Sequence, residues 1–322
     1  MSKIWKAIAF IASIIFFLYS IYFSFFGATK AFKDPVVFVV PQDISNYNIS
    51  EELYSKKLIK NEAAFNLVKN KFFKKIEFKS GGYNLNTNQS TWQILKKLSA
   101  KQDLMWVNLY FCPRKEQVGE RLANVLGWDS KKLKEWNQLF IDSDYFEGVF
   151  YPDTYLIPID ESVEQVAQRF IDRFNEKFSV ISNGYINKNI KWTTGLKIAS
   201  LIAREAAGKE DSKLISGIIW NRLNQNMRLQ IDATMQYTLG KNEKGSWWGS
   251  ISLEEKQKDS PYNSYRHEGL PPTPICSPNI DFIEAALNPE ETECIFYLHD
   301  SNRQIHCAKT YKEHKENISK YL

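Results

Sequence analysis

The chain reads as an α+β protein with a single N-terminal transmembrane helix, a small α/β module and a larger mixed α+β domain. Three observations predict this. A charge-free apolar run of membrane-spanning length opens the chain. Strand-like and helix-like patterns alternate through residues 35–145. Long amphipathic helices and a short apolar strand then fill residues 146–322. At 322 residues there is room for two domains, and 43% hydrophobic with 25% charged residues is ordinary for a protein with a packed core.

The first element is "AIAFIASIIFFLYSIYFSFF", Ala7 to Phe26, twenty residues without a charge. That is about what crossing a ~30 Å hydrocarbon core requires. A cleavable signal has a shorter apolar region of about 7–15 residues and a small-x-small cut site. The flank "GATKAFK" has no such site, so residues 1–33 read as a retained single-pass anchor. Lys3 and Lys6 before the span balance Lys30 and Lys33 after it, which leaves the positive-inside rule tied. Those four lysines account for most of the net charge of +5, and the remainder carries 38 basic against 37 acidic residues. So balanced a surface argues against nucleic acid as the main partner. The four Cys stand far apart, without CxxC spacing or a metal-like pairing with the four His. The expectation is free or packed thiols and no metal.

Next, "VVFVV" reads as a short buried strand. "ISEELYSKKLIKNEAAFNLVKNKF" carries two helical patterns, and "KIEFKSGGYNLN" a strand ending in a Gly-Gly turn. The order recurs as "MWVNLYF", "KEQVGERLANVLGW" and "DSKKLKEWNQLF", which suggests one or two small α/β modules; an undivided α+β domain explains it equally well. "GVFYPDTYLIP" reads as a linker-like hinge, because Pro152 and Pro158 forbid a helix. "SVEQVAQRFIDRFNEKF" is an amphipathic helix. "TTGLKIASLIAREAAG" follows with a Thr cap candidate and Gly208 closing it, then "DSKLISGIIWNRLNQN" with Asp211 as cap. "CIFYLHD" reads as a buried strand.

The candidate chemistry lies on the first of these two helices. Ile198, Leu201, Ile202 and Glu205 recur at spacings of three and four, so Glu205 shares the apolar stripe. Arg204 is turned away by about 100° and is a poor ion-pair partner. A carboxyl on an apolar face loses hydration when ionised, so its pKa rises toward that of a neutral-pH general acid. The competing reading is a Glu at the stripe's edge reaching solvent. "MRLQIDATMQYTLG" supplies Gln230, Asp232, Gln236 and Tyr237, where Asp232 is either a turn former or a second acid. GxSxG, HExxH, P-loop and GxGxxG patterns do not occur, which removes the usual support for serine hydrolase, zinc protease and nucleotide-binding readings. "SPYNSYRHEGLPPTPICSP", Ser260 to Pro278, puts amide, phenol and guanidinium groups on a stiff Pro-rich loop. Such groups suit a hydroxyl-rich ligand, while a packed loop with solvated polar groups explains them as well.

Taken together, "GVFYPDTY", "IASLIARE", "GIIWNRLNQNMRLQIDATMQYTLG", "SPYNSYRHEGLPPTPICSP", "AALNPEETECIFYLHD" and "KTYKEHKEN" resemble the endolytic murein transglycosylases, the YceG-like family of bacterial envelope enzymes. The motifs fall in family order from about Gly148 to Asn317. The N-terminal half matches more loosely, through the anchor, "GGYNL" with "WQILKKL", and a LysM-like module. The resemblance implies that Glu205 closes the family's "AS-x-x-x-x-E" pattern. It would protonate the glycosidic oxygen between MurNAc and GlcNAc, then take a proton from the muramyl 6-hydroxyl to leave a 1,6-anhydro end. It implies that Gln230 and Asp232 ("LQ-x-D") and Tyr262, Asn263 and Tyr265 ("YN-[ST]-Y") line the site. It also implies no cofactor, peptidoglycan synthases as neighbours, a role in limiting strand length, and a catalytic domain outside the cell membrane with the N-terminus inside. Ala203, Ala233, Thr273, Cys276 and Cys307 depart from the family pattern. The rival readings are a hydrolase using Glu205 with Asp232 and water, and a non-catalytic peptidoglycan-binding protein.

Overall fold

The computed structural model describes residues 3–74, 76–139 and 146–322. The first two residues of the anchor region and the end of the expected N-terminal region, 140–145, lie outside the described residues. By packing the chain forms two compact units, residues 1–107 with 155–161, and residues 108–154 with 162–322.

In the first unit, α1 (Lys3–Phe26) contains the apolar run. Among the described residues it is the one helix long and apolar enough to cross a membrane. Its large side chains from Ile4 to Phe25 lie outward. β1 (Val36–Val40) pairs antiparallel with β2 (Gly81–Leu85), Phe38 opposite Tyr83. Two helices join them, α2 (Ile49–Ser55) and α3 (Glu62–Phe72), each started by an Asn whose side chain accepts a first-turn N–H. α4 (Thr91–Leu98) begins with a Ser90–Gln93 capping box. Period-two alternation buries Phe38 and Val40 while Val37 faces out, and the buried pair joins Leu53, Leu58, Phe65, Tyr83, Leu85, Ile94 and Leu95 in one core. The two glycines expected in a turn are instead the first residues of β2. Gly82 pairs with Leu104 of β3 (Leu104–Asn108), and a Cβ there would stand 2.8 Å from the Leu104 side chain. Close strand approach, not a turn, explains that glycine.

β4 (Thr154–Pro158) completes the sheet order β1-β2-β3-β4. The expected hinge is therefore a built segment: Val149, Phe150 and Tyr151 are buried and residues 154–158 form an edge strand. Proline forbids a helix but leaves an edge strand open.

The second unit holds α5 (Lys115–Leu122), α6 (Ser130–Gln138), α7 (Val163–Ser179) and α8 (Ser182–Asn187). Then come α9 (Trp192–Glu205), α10 (Ser212–Asn224), α11 (Asp232–Leu239) and α12 (Ile280–Leu287). A hairpin of β5 (Phe296–His299) and β6 (Ile305–Ala308), with α13 (Tyr311–Tyr321), ends the chain. The strand–helix–helix recurrence does not mark a repeat. Its second strand, β3, extends the first unit's sheet, while α5 and α6 pack in the second unit.

α9 is the centre of this unit and lies against α10, α11 and α12. The close approach depends on Gly195, where a Cβ would stand 2.1 Å from the Tyr185 ring. Tyr185 wedges in there and donates its hydroxyl to the Ile283 carbonyl at 2.6 Å, tying α8 to α12 across α9.

The cysteines expected as free thiols are paired. Cys112–Cys276 joins Cα atoms 5.2 Å apart across 164 residues, and Cys294–Cys307 joins Cα atoms 5.8 Å apart across 13. Spacing along the chain carries no sign of this, because only the fold brings the Cα atoms within bridging range.

Candidate active site

α9 starts at Trp192 behind Lys191 rather than at a Thr cap, and its stripe of buried Ile198, Leu201 and Ile202 runs down to Glu205 at the last turn. Glu205 is partly buried. The Tyr297 hydroxyl donates to its Oε2 at 2.5 Å. Burial raises the Glu205 pKa above the ordinary carboxylate range, and the nearby Asp232 charge pushes the same way. The Tyr297 hydrogen bond, His299 and Arg204 oppose the rise without cancelling it. Arg204 makes no ion pair with Glu205; its guanidinium lies 4.0 Å over the Trp248 ring.

Asp211 is the N-cap residue of α10, as expected, but its carboxylate makes no cap hydrogen bond and turns the other way. It accepts the N–H groups of Ala207 at 2.9 Å and Gly208 at 3.1 Å, and meets His299 Nε2 at 2.7 Å. This pins the chain immediately after Glu205. His299 and Tyr297 are alternate residues of β5 and share one face, with their rings edge-on at 6.1 Å. β5 is held in place by β6, where Cys307 faces Tyr297 in register, and by the Cys294–Cys307 bridge. Burial, and next the Glu205 charge, hold the Tyr297 phenol well above its usual pKa, so it remains a donor. Sequence reasoning missed Tyr297, His299 and this use of Asp211. The available signal was a Tyr and a His two residues apart in a strand otherwise read as apolar.

The five residues expected to line the site fare differently. Asp232 is the first residue of α11 and half-exposed; it accepts a hydrogen bond from the Tyr265 hydroxyl and pairs with Lys256 Nζ at 2.9 Å. Lys256 Nζ also donates to the Tyr265 oxygen at 3.0 Å, closing a carboxylate–ammonium–phenol triangle. Nothing in the sequence singled out Lys256. Gln230 has an exposed side chain and a left-handed backbone (φ 53°), and its N–H donates to Ser264 O at 3.0 Å. Tyr262 packs on Tyr237, ring centroids 4.9 Å apart, with its hydroxyl 2.7 Å from Thr273 Oγ1.

Asn263 is the departure. It is 0% exposed, its Nδ2 donates to the Lys256 and Lys258 carbonyls at 3.0 and 2.7 Å, and its Oδ1 accepts the Tyr265 N–H. Its amide shapes the loop that carries Lys256 and Tyr265 and has no surface to offer a ligand. Much of the polar chemistry on the Pro-rich loop is used this way: Ser264 Oγ accepts the Ile231 N–H at 2.9 Å, and Ser277 Oγ donates to the Glu147 carbonyl at 2.6 Å. Stiff backbone and inward hydrogen bonds together fix Tyr265 against Asp232.

The result is one desolvated carboxyl whose Oε2 is held by a phenol, with Oε1 left for a reacting oxygen, near a fixed carboxylate whose charge is felt by the acid. Such a group can give up a proton to a leaving oxygen and take one back.

A YceG-like family model matches residues 38–320. The endolytic murein transglycosylase of Bacillus subtilis strain 168 is 28% identical over 317 residues, covering 91% of this chain and 86% of that protein. The endolytic murein transglycosylase of Streptococcus pneumoniae strain R6 is 30% identical over 177 residues; the match covers 55% of this chain and 32% of that longer protein. A crystal structure of a YceG-like protein from Listeria monocytogenes superposes with a TM-score of 0.58 at 24% identity, covering 88% of this chain and 99% of that one, a likeness of fold.

Proposed function

Since the chain belongs to the YceG-like family, we propose that it is a peptidoglycan lytic transglycosylase, anchored in the cell membrane by α1, that cuts nascent glycan strands internally. The observation that carries this is Glu205: an acid on a buried stripe, its pKa raised by desolvation, gripped at one oxygen by Tyr297.

In the first step Glu205 donates its proton to the glycosidic oxygen between MurNAc and GlcNAc as the C–O bond breaks and the GlcNAc side departs. Positive charge then builds on the muramyl anomeric carbon. The Asp232 carboxylate, fixed by Lys256 and Tyr265, supplies a negative potential to that region. In the second step ionised Glu205 takes the proton of the muramyl 6-hydroxyl, whose oxygen attacks the anomeric carbon. The proton is back on Glu205, no water is consumed, and the strand ends in 1,6-anhydro-MurNAc. One carboxyl acting twice replaces the two carboxyls of an ordinary glycosidase. The tethered hydroxyl competes against water with an effective molarity that can reach about 10⁵ M or more.

Gln230, Tyr262 and Tyr265 belong to the glycan-binding surface in this reading, with Asn263 shaping it. The catalytic unit faces away from the cytoplasm with the N-terminus inside. Two disulfides support that side, since they persist in oxidising compartments. The β1-α2-α3-β2 arrangement supports a LysM-like glycan-binding module, and internal cutting near peptidoglycan synthases would limit strand length.

The test is digestion of purified glycan strands with mass analysis of the ends. Anhydro ends that resist borohydride are expected, and Glu205→Gln, nearly isosteric but without an acidic proton, abolishes them in a folded protein. Reducing ends carrying oxygen from labelled water would make the enzyme a hydrolase. Substantial turnover by folded Glu205→Gln would remove the acid from Glu205.

A further inference from the structure

We infer a second saccharide-binding subsite on the catalytic unit, a groove of about 260 Å³ that holds an N-acetylated sugar ring of the same strand away from the bond being cut. It rests on the glycan-cleaving reading above. Tyr110, Phe111 and Trp247 line it, together with Asn108, Asn124 and Arg121.

The groove is built in a way that plain packing does not require. Tyr110 and Phe111 are 66% and 54% exposed, consecutive aromatic residues presented to solvent. The next residue, Cys112, is buried, left-handed at φ 39° and bridged to Cys276, so the turn that presents the two rings is held from beneath. The Trp247 wall is equally fixed. Its indole N–H donates to Glu120 Oε2 at 3.1 Å, and Glu120 also pairs with Lys241 at 2.7 Å.

The remaining polar lining is only partly spent. Among the described residues Arg121 Nε is buried without a hydrogen-bond partner, while its guanidinium lies 5.5 Å from the Tyr110 ring centre. A buried donor left unpaired costs free energy unless something supplies an acceptor. Aromatic faces beside amide and guanidinium donors suit a pyranose: its C–H face packs on a ring while hydroxyl and acetamido oxygens accept the hydrogen bonds.

The groove is also connected to the acid. Gln117 lines it and accepts the Trp248 indole N–H at 3.1 Å, and Trp248 stacks under Arg204, the residue beside Glu205. Through Gln117 and Trp248 the groove's lining is thus packed against the residue next to the acid in the chain, and a strand held at both places would have its cut position set by occupancy of the groove.

The experiment uses the full chain in detergent micelles and compares wild type with Tyr110→Ala/Phe111→Ala and with Arg121→Leu. N-acetylglucosamine oligomers are titrated by tryptophan fluorescence, and cleavage of long glycan strands and of a minimal tetrasaccharide is followed separately. The expected result is weaker oligomer binding and a KM on long strands raised about tenfold or more in the double variant, which loses two aromatic contacts of about two- to tenfold each. kcat on long strands and turnover of the tetrasaccharide stay unchanged, and the product lengths shift. Unchanged affinity and KM would overturn the subsite, as would an equal loss on long and short substrates. Binding is read without turnover, so a wild type that failed to cleave glycan would count against the function and leave the subsite to be judged by the titration.

Discussion

Tyr297→Phe isolates one atom of the site. The ring stays, with its packing and its edge contact to His299, and only the hydroxyl 2.5 Å from Glu205 Oε2 is lost. A hydrogen bond to a charged group contributes about 1.5–3 kcal/mol. That bond favours ionised Glu205, so its removal disfavours ionisation by about ten- to a hundredfold. In the proposed mechanism the sign is fixed: the first step needs protonated Glu205, and activity falls as pH rises through its pKa. Tyr297→Phe therefore moves the alkaline limb of kcat/KM to higher pH. The carboxyl also loses its grip at Oε2, so the plateau rate falls, by about tenfold for a loss of this size. The assay is the rate of anhydro-end formation from purified strands across the pH range. An alkaline limb that stays in place or moves to lower pH would refute the claim that Tyr297 stabilises the ionised acid.

Three further outcomes follow from the fold. Glu147 is fully buried, and desolvation, with the Glu116 charge behind it, pushes its pKa up to about 8 against 4.5 for an ordinary Glu. Between those values the unfolded chain binds fewer protons than the folded one, so stability falls as pH rises from about 4.5 to about 8. Glu147→Gln flattens that fall in thermal melts, and an unchanged slope would contradict it. Gly195→Ala, which normally strengthens a helix by about 1 kcal/mol, instead destabilises by about 1–3 kcal/mol through the clash with Tyr185; a raised Tm would show the wedge to be compliant. Cys294→Ser with Cys307→Ser removes the clamp on the hairpin that carries Tyr297 and costs about 3 kcal/mol for a loop of this size. Denaturant unfolding measures the loss, and activity is expected to fall with it.

How much of this was legible along the chain depends on the range of the interaction. The α9 stripe was readable because helical periodicity is local: Ile198, Leu201, Ile202 and Glu205 share a face whatever surrounds them. The membrane-length apolar helix was readable because length and absence of charge are properties of one segment. The amphipathic α7 was readable for the same reason, its apolar residues recurring at helical spacing within one segment. Gly81-Gly82 misled because a glycine that permits a turn and one that lets a strand approach look alike in sequence.

The sequence by itself determined a membrane-length helix, an α+β order of elements, and a single carboxyl on an apolar helical stripe. The tertiary structure decided what that carboxyl touches. Tyr297 lies 92 residues from Glu205 and Tyr265 lies 33 from Asp232. Cys112 lies 164 from Cys276. It also decided that Asn263 faces inward and that Asp211 reaches back to Ala207 and Gly208 instead of forward into α10. Local propensity fixes the direction of a side chain relative to its own element. Its partners, its hydration and hence its pKa depend on which elements pack against it, and that is settled only when the whole core closes.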